Sequence, residues 1–87
     1  MNNARRIVLR ELFEQIESVQ CTLENIADII ESVMDDEQEA YDNLPESLQE
    51  SERGEHMSEC INALYDIVWS LRDVIDLDGI EYMIDEM

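Results

Sequence analysis

The chain has 87 residues, of which 45% are hydrophobic, and its 23 acidic residues against five arginines and no lysine give a net charge of −18. This length allows one domain, residues 1–87, and the hydrophobic content is too high for a disordered chain, so we expect it to fold. The charge disfavours direct binding to nucleic acid or to an anionic membrane, and it favours a protein partner with a basic surface.

The first predicted element is a long helix over about residues 4–42. Hydrophobic residues alternate by three and four positions, which places them on one stripe of a helix. The stripe consists of Leu9, Leu12, Ile16, Val19, Leu23, Ile26, Ile30 and Val33. Asn43, which tolerates a left-handed backbone, and Pro45 predict the end of the helix. A break near residues 35–37 is the alternative.

The connector after Pro45 predicts one helical turn, with Ser47 and Glu50 spaced as a capping box and Ser51 as a second candidate N-cap. A second hydrophobic stripe predicts a helix over about 50–76. The stripe consists of Met57, Ile61, Leu64, Val68, Leu71 and Ile75. Asp78-Gly79 could end this helix or only weaken it, and residues 79–86 could form a short C-terminal helix.

Two helices joined by a short connector pack antiparallel, so we predict an all-α fold built as an antiparallel helical hairpin. The terminal charges favour this arrangement, because arginines near the N-terminus would face acidic residues near the C-terminus. The arginines are Arg5, Arg6 and Arg10, and the acidic residues are Asp76, Asp78, Glu81, Asp85 and Glu86.

The hydrophobic stripes are wider than one hairpin covers, which predicts a homodimer that forms a coiled-coil-like or four-helix bundle. A C-terminal helix that folds back over the same surface is the alternative.

Metal, cofactor and catalytic sites are not predicted. An EF-hand reading of Asp76-Leu77-Asp78-Gly79 places Val74 at the first ligand position, where it cannot bind calcium. His56 and Cys60 share a helix face, but a structural zinc site needs four ligands. Cys21 and Cys60 are too far apart in a hairpin to form a disulfide. One histidine, no lysine and no glycine-rich loop argue against an enzyme.

The acidic residues are concentrated near the connector. Residues 35–59 contain ten acidic residues and one arginine, which is half of the net charge. Along the first helix the carboxylates recur every three or four residues, about 5–6 Å apart, which is comparable to the spacing of phosphates in nucleic acid. The predicted partner-binding residues are Glu24, Asp28, Glu31, Asp35, Asp36, Glu39, Asp42, Glu46 and Glu50.

The segment YDNLPESLQESERGE, residues 41–55, with the helix that follows it, resembles small acidic helical proteins of phages and mobile elements of Gram-positive bacteria. The resemblance covers the connector and the second helix, about half of the chain. It implies a phage protein acting against host defence, with anti-CRISPR proteins as an analogy. The apolar run Ile7–Leu9 is too short for a signal peptide, which favours the host bacterial cytoplasm.

Two functions remain open. The first is a phage-type inhibitor that mimics DNA or RNA and occupies the basic groove of a defence or nucleic-acid-processing protein. The alternative is a helical dimerisation or adaptor module that binds a protein partner through an apolar face.

Overall fold

A computed structural model describes residues 1–87 and contains four helices and no strand, so the predicted all-α class is confirmed. The helices are α1 (Asn3–Asp42), α2 (Glu46–Gln49), α3 (Glu52–Arg72) and α4 (Leu77–Glu86). α1 runs without a break through residues 35–37, and the molecule is a rod of 67 × 16 × 13 Å. None of the helices combines the length and the hydropathy needed to cross a bilayer.

The ends of α1 are set by a capping side chain and by a proline. The Asn2 side chain accepts a hydrogen bond from the Arg5 amide at 2.9 Å, which satisfies one free donor of the first turn. At the other end Asn43 keeps a right-handed backbone with φ −83°, so the left-handed cap we expected is wrong. Pro45 suffices to end the helix, because it disfavours a helical conformation of Leu44.

The connector folds back on α1 through the short helix α2. Ser47 lies inside α2, so the predicted capping box does not form; Ser51 caps α3 instead and accepts from the Gly54 amide at 3.4 Å. The Gln49 side chain donates to the Tyr41 carbonyl at 3.0 Å, which ties α2 to the end of α1. α3 therefore starts close to the point where α1 ends.

α3 runs back along α1, since its last residue, Arg72, reaches Asp28 of α1 at 2.9 Å. α3 ends four residues earlier than predicted because Asp76 starts a new helix: its side chain accepts from the Gly79 amide at 3.1 Å. Asp78-Gly79 thus lies in the first turn of α4.

α4 packs against the N-terminal part of α1, where Arg10 forms an ion pair with Asp85. Arg5 and Arg6 form no ion pair, so the cross-helix pairing predicted for them is wrong. Both precede the segment of α1 that faces Asp85, and their guanidinium groups remain without a carboxylate partner.

The core between the helices is thin, with only six of 87 residues buried. On α1 the buried residues are Phe13, Gln20 and Ala27, spaced by seven, and on α3 and α4 they are Gly54, Val68 and Ile84. The predicted stripe of α1 therefore divides in two. One row is half-buried beside the core and consists of Leu9, Ile16, Leu23 and Ile30. The other row is exposed and consists of Leu12, Val19, Ile26 and Val33.

Candidate protein-binding surfaces

The nine predicted acidic residues fall into two groups. Six of them lie at the connector end, are exposed and form no ion pair; we call these the connector-end acidic surface. They are Asp35, Asp36, Glu39, Asp42, Glu46 and Glu50. Only one of these carboxylates accepts a side-chain hydrogen bond: Asp42 accepts from Gln38 at 2.9 Å. Most of these carboxylates are therefore free to meet cations from outside.

The other three predicted residues are already engaged within the chain. Arg72 bridges Asp28 and Glu31, and Glu24 accepts a hydrogen bond from Gln20 at 3.2 Å. The hydrogen bonds to Glu31 and to Asp28 raise the pKa of Arg72. This middle part of the predicted surface is thus partly neutralised, and the charge offered to a partner lies mainly at the connector end.

A second acidic feature lies where α1, α3 and α4 meet. A cavity of about 340 Å³ is lined by Gln20 and by four carboxylate residues, with Ile75 and Leu77 completing the wall. The carboxylate residues are Glu24, Asp73, Asp76 and Asp78. The Gln20 side-chain oxygen is buried without a hydrogen-bond partner. No three His, Cys, Asp or Glu side chains of the chain are placed to hold a metal ion.

The cysteines and the histidine form no larger group. The Cys60 sulfur and His56 Nε2 are 3.7 Å apart on one face of α3, and both cysteines are free thiols. The pair offers two ligands, whereas a structural zinc site needs four.

An exposed apolar line on α1 was only partly predicted from the sequence. We call it the outer seam, and it consists of Val8, Leu12, Val19, Ile26, Ile29 and Val33, all exposed. At 3.6 residues per turn its centre lies roughly 170° around the helix from the row that carries Glu24, Asp28 and Glu31. Sequence reasoning missed Val8, although its spacing of four residues from Leu12 carries the signal.

The aromatic side chains of α3 form a third exposed feature. Tyr65 and Trp69 pack edge to face with ring centroids 6.3 Å apart, and both are at least half exposed. Their spacing of four residues on one helix explains the contact. Such a pair presents a large apolar area with polar edges, which is common in protein interfaces.

Comparison of the chain with protein-family models, with characterised proteins and with solved structures finds no match. The chemistry of the surfaces therefore carries the functional argument. The connector-end acidic surface can bind cationic groups, and the outer seam and the aromatic pair can bury apolar area.

Proposed function

We propose that the protein is a non-catalytic inhibitor that binds the basic groove of a nucleic-acid-binding protein and keeps DNA or RNA out of it. The observation that carries this proposal is the connector-end acidic surface, whose six exposed carboxylates have no arginine partner within the chain. A cluster of uncompensated carboxylates at one end of an extended helical rod is a surface that a cationic groove can recognise.

The spacing of the carboxylates supports mimicry of a nucleic acid backbone. Asp35, Glu39 and Asp42 are separated by four and three residues on α1, so neighbouring carboxylates stand about 5–6 Å apart. Ordinary surface helices alternate the sign of such charges, whereas here like charges repel along the helix. A basic groove would relieve that repulsion on binding.

The biological setting forms part of the proposal. The resemblance of residues 41–55 to phage and mobile-element proteins supports an anti-defence role in the host bacterial cytoplasm, with a nuclease or another nucleic-acid-processing protein as the target. We also propose that the chain acts as a homodimer, because its exposed apolar side chains outnumber the buried ones.

The test is capture of binding proteins from a bacterial lysate by the tagged wild-type chain and by a variant in which Asp35→Asn, Glu39→Gln and Asp42→Asn are combined. The control removes three charges elsewhere, through Glu11→Gln, Glu14→Gln and Glu81→Gln. We expect the wild type and the control to retain a nucleic-acid-binding protein that elutes with salt and is displaced by DNA or RNA. Equal binding by both variants, or a partner that resists salt, would contradict mimicry.

A second candidate function, an adaptor that binds a protein through an apolar face, is favoured by the exposed Tyr65–Trp69 pair. Aromatic side chains of this kind often supply most of the binding energy of an interface. In that case Trp69→Ala or Tyr82→Ala abolishes capture of a partner, whereas high salt and the triple neutralisation leave capture intact.

A further inference from the structure

The chain exposes more surface than a folded monomer of its mass. Its accessible surface is 6548 Å² for a mass of 10.2 kDa. A compact monomer of this mass exposes roughly 5,300 Å². The difference, roughly 1,200 Å², is larger than the ~800 Å² that each partner contributes to a stable interface of standard size. The excess surface of the single chain is therefore large enough to form an interface with a partner of its own size.

The outer seam has the pattern of a helix-pairing interface. With Gln15 and Thr22 added, its positions alternate by four and three from Val8 to Val33 without a charged residue, over about 38 Å of helix. A heptad pattern of this kind drives helix pairing in coiled coils. The Thr22 hydroxyl already donates to the Ser18 carbonyl at 3.1 Å, so its burial leaves no unsatisfied donor.

α3 extends the same apolar side of the rod. The contact between Arg72 and Glu31 marks one side of the α1–α3 pair. By helical periodicity, Ile67 of α3 lies on the opposite side, as does the outer seam. Ile67 is 45% exposed. A partner seated on the outer seam would therefore also cover Ile67.

We infer that a second copy of the chain occupies this side, with the two α1 helices antiparallel about a two-fold axis near residues 20 and 21. Val8 then faces Val33 of the partner subunit, and the next three layers repeat the match of hydrophobic or neutral side chains. Those layers pair Leu12 with the partner's Ile29, Gln15 with the partner's Ile26, and Val19 with the partner's Thr22. The inference rests on the proposed dimer and does not depend on the proposed target.

The charges beyond the seam select this orientation and register. One step outside the Val8 layer, Arg5 faces Asp36 of the partner subunit, and the two-fold axis repeats this ion pair at the other end. Neither side chain has an ion pair within its own chain. Parallel helices would place Arg5 against Arg5. A shift by one heptad would set Arg5 against Ile29, or Asp36 against Leu12, where a charge would be buried unpaired.

A groove at the N-terminal end of α1 fits the same arrangement. It has a volume of about 330 Å³ and is lined by Met1, Arg5, Val8 and Leu9. In the antiparallel dimer it would receive Val33 and Asp36 of the partner subunit. The groove thus offers apolar walls to the valine, and Arg5, which lines it, is placed at its edge to pair with the carboxylate of the partner's Asp36.

Disulfide cross-linking tests the register. In a Cys21→Ser, Cys60→Ser chain, Gln15→Cys is combined with Ile26→Cys, which lie about 16 Å apart within one helix, too far for an intrachain disulfide. We expect oxidation to yield a covalent dimer, with little product from the control Val8→Cys with Ile26→Cys, which requires a one-heptad shift. A monomeric mass of the wild type by light scattering at tens of micromolar, or equal cross-linking in both variants, would overturn the inference.

Charge reversal tests the ion pair independently of cross-linking. Arg5→Asp and Asp36→Arg should each raise the dissociation constant of the dimer roughly three- to tenfold, and the double variant should restore it. Helical content measured by circular dichroism checks that each variant folds. If neither single variant raised the dissociation constant of the dimer, the predicted contact between Arg5 and the partner's Asp36 would be wrong. Capture of a basic target by the Arg5→Asp variant reports on the proposed function separately, because this variant leaves the connector-end acidic surface unchanged.

Discussion

Arg72, the last residue of α3, donates a hydrogen bond to Asp28 of α1, 44 residues earlier in the chain, at 2.9 Å. The same guanidinium group also reaches Glu31, one turn further along α1. These contacts fix the end of α3 against the middle of α1 in a chain with a thin apolar core. They also use two of the nine carboxylates expected to face a partner, which shifts the free acidic surface toward the connector.

The first prediction concerns this bridge. Arg72→Gln should lower the melting temperature, because it leaves Asp28 and Glu31 as neighbouring like charges without a cation. The decrease should become smaller at high salt, since screening weakens exposed ion pairs and the repulsion alike. Arg53→Gln removes the same charge from an α3 residue that has no ion pair, and it serves as the control. Equal thermal shifts for the two variants would contradict a specific role of the bridge.

The second prediction concerns the close approach of the connector to α3. Gly54 is buried, and a Cβ atom there would collide with the backbone carbonyl groups of Leu48 and Gln49. Gly54→Ala should therefore lower the free energy of unfolding by about 1–3 kcal/mol, a typical cost of overpacking. Urea denaturation followed by circular dichroism measures this value.

Gly79→Ala is the matched control for Gly54. A Cβ atom at residue 79 would displace the Asp76 side chain and weaken the cap that this side chain provides to α4, whereas alanine has a higher helix propensity than glycine by about 1 kcal/mol. The two effects oppose each other, so we expect little net change. A larger loss of stability for Gly79→Ala than for Gly54→Ala would contradict the described path of the connector.

The third prediction concerns the core between α1 and α3. Ala27 has 0% exposure, and no larger residue on α1 is as deeply buried. Ala27→Leu should force the helices apart and cost about 1–3 kcal/mol, as measured by chemical denaturation. Ala63→Leu, which adds the same side chain at an exposed position of α3, should be nearly neutral. Similar losses in both variants would mean that α1 and α3 do not meet at Ala27.

The sequence predicts the helices well because long periodic segments, capping residues and a proline act locally. Asn2 and Ser51 cap their helices through contacts three residues away, and Pro45 acts on the residue before it. The register of the core was harder to predict. The buried row of α1, Phe13, Gln20 and Ala27, contains a polar residue. The row Leu12, Val19, Ile26 and Val33 is entirely hydrophobic and yet remains exposed.

The candidate site was predictable in composition but not in its internal contacts. The density of carboxylates near the connector is visible in the sequence, and six of the nine predicted residues are exposed and unpaired there. The engagement of Asp28 and Glu31 depends on how α3 is rotated against α1, and this rotation is set by how the buried residues of the two helices, such as Ala27 and Val68, pack together. Packing between residues that are far apart in the sequence leaves no periodic pattern in that sequence.

The last prediction concerns the repulsion within the acidic surface. Asp35 with Glu39, and Glu39 with Asp42, are like-charged neighbours on one helix, and each such pair costs roughly 0.2–0.5 kcal/mol. The variant with Asp35→Asn, Glu39→Gln and Asp42→Asn should therefore melt at a higher temperature than the wild type at about 0.01 M salt. Salt near 1 M reduces the screening length to about 3 Å, so the two melting temperatures should then converge.

The control for this comparison is the variant with Glu11→Gln, Glu14→Gln and Glu81→Gln, which loses the same net charge away from the connector end. It also breaks up like-charged pairs, namely Glu14 with Glu11 and Glu17 on α1 and Glu81 with Asp78 and Asp85 on α4, so it too should melt above the wild type at low salt. If the connector-end variant is less stable than the wild type, the replaced carboxylates make contacts that stabilise the fold. Binding of a cationic partner would then no longer be needed to explain their presence.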